Sequence, residues 1–565
     1  MRERLKSARY ALADLAYVIG RALGRIPRSL GRGFGDFWNR LTVIERRRLL
    51  AALGAAVVIL LFLALAVPQL PCEFPGGDAC APEDHAAELV PADALAYVHV
   101  DLDPDSDQME LAGDVADATP VLSEQLVSRA LALLPGLADT PAQFDSEVRP
   151  WFGDELAVAI LGGPRGPERV VLIEASDSEG ASRFAAGVGR GVASEEVGGF
   201  LVLGSGDGIR AVTGAANGGG EPLSADATAT EARDRLPAER FAEAWISPEG
   251  AQQLVAASRG QLATLTPLIS PGATEGVAAS LGFDEDGYAV AIRSTLNAER
   301  ASATPGFFAA FPSFEPQLAE RLPADTLGYL GFDDPGRTIR ALLTQASAQA
   351  PGIAGGFEAL VRRLRKEGGV DVEGDLLDAL DGEAALSILP RAQEQEQLGL
   401  PFVELVADDV DDEAARRALA ALQAPLAAAA SRDVQAPVFE QQDVEGVEAH
   451  SLQLSPTIDL TYAVFDGVAA IATDPQGIAD LASDNGGLDE ADRFDAATDE
   501  LPDDVSLLAY LDLHDLVAIG ERMGLAEDPL YATFAGDFRS LEALGLAVTS
   551  SEDELSTDVR LQVAG

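Results

Sequence analysis

The chain has 565 residues, 47% of them hydrophobic, and a formal net charge of −52. That is enough length for two or three cores and too much acid to hold nucleic acid, which is bound by releasing counterions to Lys and Arg. Residues 1–48 hold 12 Lys+Arg against 4 Asp+Glu, a net of +8, so the rest of the chain carries −60. An excess of that kind reads as solvated acidic surface.

The N-terminal 48 residues place Leu5, Leu12, Leu15, Val18, Ile19, Leu23 and Ile26 near a helical period, with arginines interspersed. This predicts a basic amphipathic cytoplasmic segment lying on an anionic inner leaflet. Leu49–Val67 follow as 19 residues without a charge. As a helix they reach about 28 Å, against a hydrocarbon core of about 30 Å, so a retained single-pass transmembrane helix is expected. Arg46, Arg47 and Arg48 flank its N-terminal side. They keep the N-terminus in the cytoplasm and put residues 68–565 outside the cell membrane.

Residues 68–87 read as a Pro/Gly-rich linker that contains the only cysteines, Cys72 and Cys80. Outside the cytoplasm these are a disulfide candidate, a structural staple across a Pro-Gly-Gly turn. No histidine cluster accompanies them, so they make no zinc site, and their spacing is not that of a C-x-x-C redox motif.

Beyond the linker the sequence repeats itself. Leu89-Val90-Pro91-Ala92-Asp93-Ala94-Leu95-Ala96-Tyr97 returns as Arg321-Leu322-Pro323-Ala324-Asp325-Thr326-Leu327-Gly328-Tyr329, and Phe152–Leu161 matches Leu380–Leu389 without a gap. Strands, acidic helix starts and turns at Asp207-Gly208 and Asp466-Gly467 follow in the same order, the two Asp-Gly pairs reading as hairpins. Leu236-Pro237 and Leu501-Pro502 introduce a further strand in each copy, and each copy closes on a hairpin-like pair. The expected fold class is therefore α+β: an N-terminal transmembrane helix, then two tandem duplicated modules over 88–300 and 321–565. Each module would be a largely antiparallel sheet with packed helices.

Residues 301–320 form a Phe-rich linker between the copies. Phe307, Phe308, Phe311 and Phe314 are the densest aromatic cluster in the chain. They read as rings packed at a module interface or as a candidate hydrophobic contact for a lipid or protein partner.

The layout resembles an uncharacterised, DUF-type family of bacterial, mainly actinobacterial, single-pass envelope proteins whose outer region opens with a Pro-Ala-Asp-x-x-x-Tyr strand. Pro91, Ala92, Asp93 and Tyr97 carry the likeness, and Pro323, Ala324, Asp325 and Tyr329 repeat it. The resemblance implies an anchored extracytoplasmic protein with no assigned activity and no catalytic residues to carry over.

The search for chemistry is mostly negative. Four histidines occur, His85, His99, His450 and His514, and no pair of them has metal-ligand spacing. Tyr97, His99 and Asp101 share one face of a strand, a set able to do acid–base work but expected to be its solvated face. The second copy has Tyr329, Gly331 and Asp333 there and keeps no histidine. Asp101, Asp103, Asp105 and Asp107 alternate like a calcium loop, yet Gln108 and Asp114 stand where glycine and glutamate belong. No G-x-S-x-G or G-x-x-x-x-G-K motif is present.

No cofactor, metal or catalytic residue is expected. The partners expected are the bilayer through residues 49–67, the anionic inner leaflet through residues 1–48, and an unknown envelope ligand. The functional expectation is a membrane-anchored extracytoplasmic protein that binds or scaffolds at the cell envelope. An extracytoplasmic hydrolase using carboxylates and a transmembrane sensor are the alternatives.

Overall fold

The structure is a computed structural model. It describes residues 81–133, 144, 146–164, 166–188, 192–257, 273–303, 311–338, 340, 362, 365–366, 380, 382–391, 401–430, 438–455, 458–483 and 486–564. Residues 1–48, the apolar stretch 49–67 and both cysteines lie outside the described residues, as do Phe307 and Phe308.

The described strands form one antiparallel sheet of 18. This corrects the expectation of two tandem modules with a sheet apiece. No described helix is long and apolar enough to cross a membrane, and the span expected over 49–67 is not among the described residues. The chain divides into two compact units that do not follow the sequence in two blocks. Among the described residues, one takes those before Phe307 together with Asp528–Glu542 and Ser551–Gly565; the other takes Phe307–Glu527 and Ala543–Ser550.

The first unit contains β1 (Ala96–Asp101), β2 (Phe152–Gly163), β3 (Gly166–Ala175), β4 (Ala193–Val197), β5 (Phe200–Gly204), β6 (Ala242–Ile246), β7 (Thr274–Asp284) and β8 (Gly287–Leu296). They pair in the order β4-β5-β3-β2-β1-β6-β7-β8. The second unit contains β9 (Gly328–Asp333), β10 (Glu383–Leu389), β11 (Phe402–Ala407), β12 (Glu440–Val444), β13 (Val447–Ser455), β14 (Ile458–Phe465), β15 (Val468–Ala472), β16 (Leu507–Asp512) and β17 (Leu541–Ser550). Their order is β12-β13-β14-β15-β11-β10-β9-β16-β17.

The last strand, β18 (Glu554–Val563), was expected to close the second module. It lies in the first unit and pairs along β8 there, from Glu554 opposite Thr295 to Gln562 opposite Gly287. The physical reason is an open edge. With β7 on its other side, a bare β8 would leave the backbone donors and acceptors of every second residue unpaired along its ten-residue length.

Strand burial explains the residue choice. In the first unit one core packs Tyr97, Ala157, Val170 and Leu172 against the short 3-10 turn Ala86–Glu88 and the helix Gly206–Ala216. A second core packs Val171, Ile173, Leu201 and Leu203 against Trp151 and Ala181 on the opposite face. Covered on both sides, β3 and β5 read as unbroken apolar runs rather than alternating ones.

The two Asp-Gly turns part ways. Asp466 and Gly467 have φ of +48° and +78° and turn β14 into β15 as expected. Asp207 and Gly208 are not a hairpin: they sit in the first turn of the helix Gly206–Ala216, capped by Ser205 Oγ accepting from Gly208 N–H. The hairpin belongs to Gly198 and Gly199, with φ of +59° and +91°, between β4 and β5. A serine three residues ahead of Gly208 is the helix-start signal that outweighs the Asp-Gly pair.

Candidate functional site

The face of β1 that carries Tyr97 and His99 is buried, not solvated, because Ala86–Glu88 and the helix Ala227–Asp234 pack over it. His99 is 0% exposed. Its Nε2 lies 3.2 Å from Glu155 Oε2 and 3.7 Å from Asp84 Oδ1. These three side chains form a group of potential metal ligands with donor atoms within 4.8 Å of one another.

Each carboxylate oxygen already has a partner. Asp84 Oδ1 accepts from Tyr97 OH at 2.6 Å and from Ala87 N–H at 3.0 Å, and its Oδ2 accepts from Arg233 at 2.5 Å. Glu155 Oε2 accepts from the backbone N–H of His85 at 3.1 Å and of Ala86 at 3.3 Å. Its Oε1 meets His85 Nδ1 at 2.5 Å. Behind them Arg233 pairs with Glu243, whose other oxygen lies 3.1 Å from Arg240.

Electrostatics fix the protonation. Burial opposes a charge on His99, but the Asp84 charge and the Glu155 hydrogen bond raise its pKa above the ordinary 6.5. Burial also works against the charges of Asp84 and Glu155. The His99 charge and Arg233 hold Asp84 below its usual range, and the bonds from His99 and His85 do so for Glu155. With His99 protonated, the buried charges of Asp84, Glu155 and Glu243 are matched by His99, Arg233 and Arg240, and half-exposed His85, its pKa raised by the Glu155 bond, adds to Glu155 from the rim.

That balance decides against a metal. A cation would displace the proton that neutralises the cluster and compete with Arg233 for Asp84. Metal-bound imidazoles also donate their second N–H, whereas His99 Nδ1 has no hydrogen-bond partner among the described residues. The donor set is therefore better matched to a proton than to zinc.

The second unit shows which parts the fold requires. Asp101 faces Glu155 across β1–β2 as Asp333 faces Glu383 across β9–β10. Glu383 Oε2 likewise accepts two backbone N–H bonds, from Gln317 at 2.7 Å and Leu318 at 2.9 Å. A buried glutamate holding the start of a 3-10 turn thus occurs in both units. The rest does not. In the same registers the second unit has Gly331 for His99, Leu508 for Glu243 and Pro316 for Asp84. Aligned on Leu236-Pro237 and Leu501-Pro502, Thr498 and Val505 stand for Arg233 and Arg240. Tyr329 OH then donates directly to Glu383 at 2.8 Å, and a Cβ on Gly331 would stand 2.2 Å from that hydroxyl.

The other sequence candidates fall elsewhere. Phe311 is buried with its ring 6.3 Å from Phe332, and Phe314 packs partly buried against the second unit's core. Asp101 and Asp103 accept from the backbone N–H groups of Asp103 and Asp105 at 2.8 and 2.9 Å, two local turns leading into the helix Asp107–Ala118. A cavity of about 440 Å³ lined by Trp151, Asp177, Arg183 and Phe184 shares no residue with the His99 cluster. Sequence reading missed Asp84, Arg233, Arg240 and Glu243. Their only signal was that the second copy has neutral residues at all four positions.

No curated protein matches the chain. A solved structure titled "Structure of crystal form III of TP0453" aligns with 38% of this chain and 81% of its own length, at 9% identity and a TM-score of 0.23. The family model described as "Protein of unknown function (DUF3352)" matches residues 188–563, and the chain belongs to that family.

Proposed function

We propose that this chain is an extracytoplasmic binding or scaffolding protein of the cell envelope, held at the membrane by its N-terminal residues, and not an enzyme. The observation that carries the reading is the closure of the His99 cluster. His99 is 0% exposed, and the oxygens of Asp84 and Glu155 are committed to protein donors. Acid–base catalysis needs a group within hydrogen-bond reach of a substrate proton, and among the described residues this imidazole reaches only its own carboxylates. Anchoring rests on the sequence alone, on Leu49–Val67 and the arginines before it.

The test is native mass spectrometry of the full-length protein from its own host, released from nanodiscs. A reproducible extra mass of lipid or glycan supports the reading. A clean apo mass, together with turnover of ester or glycoside substrates that His99→Gln abolishes, overturns it.

A further inference from the structure

The second unit buries a carboxyl group where the first buries a hydrocarbon. Ala159 faces Val170 across β2–β3; in the same register of β10–β11, Ser387 faces Glu404. Val170 sits against the helix Gly206–Ala216, where a Cβ on Gly208 would come 2.6 Å from its Cγ2. Glu404 sits against the helix Pro475–Ala482, where a Cβ on Gly477 would come 2.7 Å from its Oε1. Gly208 and Gly477 are each three residues past a capping side chain, Ser205 and Asp474. The notch is the same, and only its filling differs.

Glu404 is 0% exposed, and neither carboxylate oxygen has a hydrogen-bond partner among the described residues. Ala472 of β15 lies opposite it and Ser387 of β10 beside it, both uncharged. The helix contributes Asp480, and Asp474, which pairs with Arg391 at 3.1 Å. Asp325, before β9, adds its charge to that of Asp480. Arg391 is spent on Asp474, and among the described residues no other cation offsets a charge on Glu404; an unpaired buried carboxylate is too costly to persist.

We propose that Glu404 is a proton-operated catch on the helix Pro475–Ala482: the neutral acid packs into the Gly477 notch as Val170 packs into the Gly208 notch, and its ionisation releases the helix. Burial, with Asp480 adding to it, pushes the Glu404 pKa up to about 8, and burial first, then Asp325 and Asp474, takes Asp480 to about 6. A carboxyl group raised in the folded state contributes fully below its unfolded value of 4.5. That contribution is lost as pH rises toward about 8. The helix is therefore held in mildly acidic medium and loosened in mildly alkaline medium.

Hydrogen exchange of the amides of residues 477–483 in the full-length protein tests this, corrected for intrinsic pH dependence. Protection should fall by up to about tenfold per pH unit between about 5 and 8. Glu404→Val, which copies the first unit, should stay protected throughout, and Asp480→Asn should move the wild-type transition to lower pH. Carboxyl 13C shifts of the wild-type protein supply a readout that needs no variant. A Glu404 midpoint near 8 supports the catch. A midpoint near 4.5, or helix protection that does not change between pH 5 and 9, overturns it.

Discussion

His99 and Gly331 show how one residue decides a neighbourhood. With glycine at 331, Tyr329 reaches Glu383 directly. With an imidazole at 99, Tyr97 turns to Asp84, and the imidazole takes the glutamate. Gly331→Ala should therefore cost about 2 kcal/mol, because its Cβ evicts the Tyr329 hydroxyl and leaves Glu383 short of a donor. Chemical denaturation measures the loss, and Tyr329→Phe in the same chain should recover only the hydroxyl's part of it, because ring carbons Cζ and Cε1 still stand 2.7 and 2.9 Å from the new Cβ. His99→Gln removes the proton that balances the cluster and should cost about 3 kcal/mol. The pH profile gives it a signature. The stability from Asp84 and Glu155 is present above their ordinary 3.8 and 4.5 and lost as pH falls. That from His99 is present below 6.5 and lost as pH rises through its raised value. Stability of the first unit should peak between 4.5 and 6.5, and the alkaline limb contributed by His99 should vanish in His99→Gln. The sequence placed Tyr97, His99 and Asp101 on one face, but alternation says only which residues share a face, never which face is wet. What covers this one is Asp84–Glu88 and Ala227–Asp234, far apart in the chain and unmarked by any motif.

At the scale of elements, the exchange between units is collective. Asp84 and His99 in one unit stand against Pro316 and Gly331 in the other, so the pair should be coupled. The double variant Asp84→Pro/His99→Gly should lose at least about 1 kcal/mol less than its single variants summed, a cycle read by urea unfolding at pH 6. Additive losses would mean that the two side chains act independently. Turn chemistry was legible where backbone conformation alone decides, as at Asp466-Gly467. It misled at Asp207-Gly208, where a capping serine made the same dipeptide a helix start. The buried carboxyl group of Glu404 was invisible for a related reason. In FVELVA a lone glutamate between apolar neighbours reads as the outward residue of a half-buried strand, yet β11 is packed on the side where that glutamate lies.

For the whole molecule, the decisive contact is the pairing of β18 with β8. Repetition in the sequence announced two copies and implied two self-sufficient sheets, because sequence order was read as spatial order. Strand pairing follows edges instead, and the edge left open after β8 is filled from the end of the chain. Truncation after Ser550 should leave that edge bare and shift the protein from monodisperse to aggregated on size-exclusion chromatography, although the deletion removes only 15 residues. A chain cut there that remains monodisperse and folded would mean that β8 needs no cover. The same pairing sets an order of events during synthesis. Translation delivers β8 long before it delivers Glu554, and every residue between Leu296 and Glu554 must leave the ribosome first. The first unit to emerge is thus the last able to finish, and its nascent edge waits on a distant partner, which makes the fold slow and dependent on protection while the chain is growing.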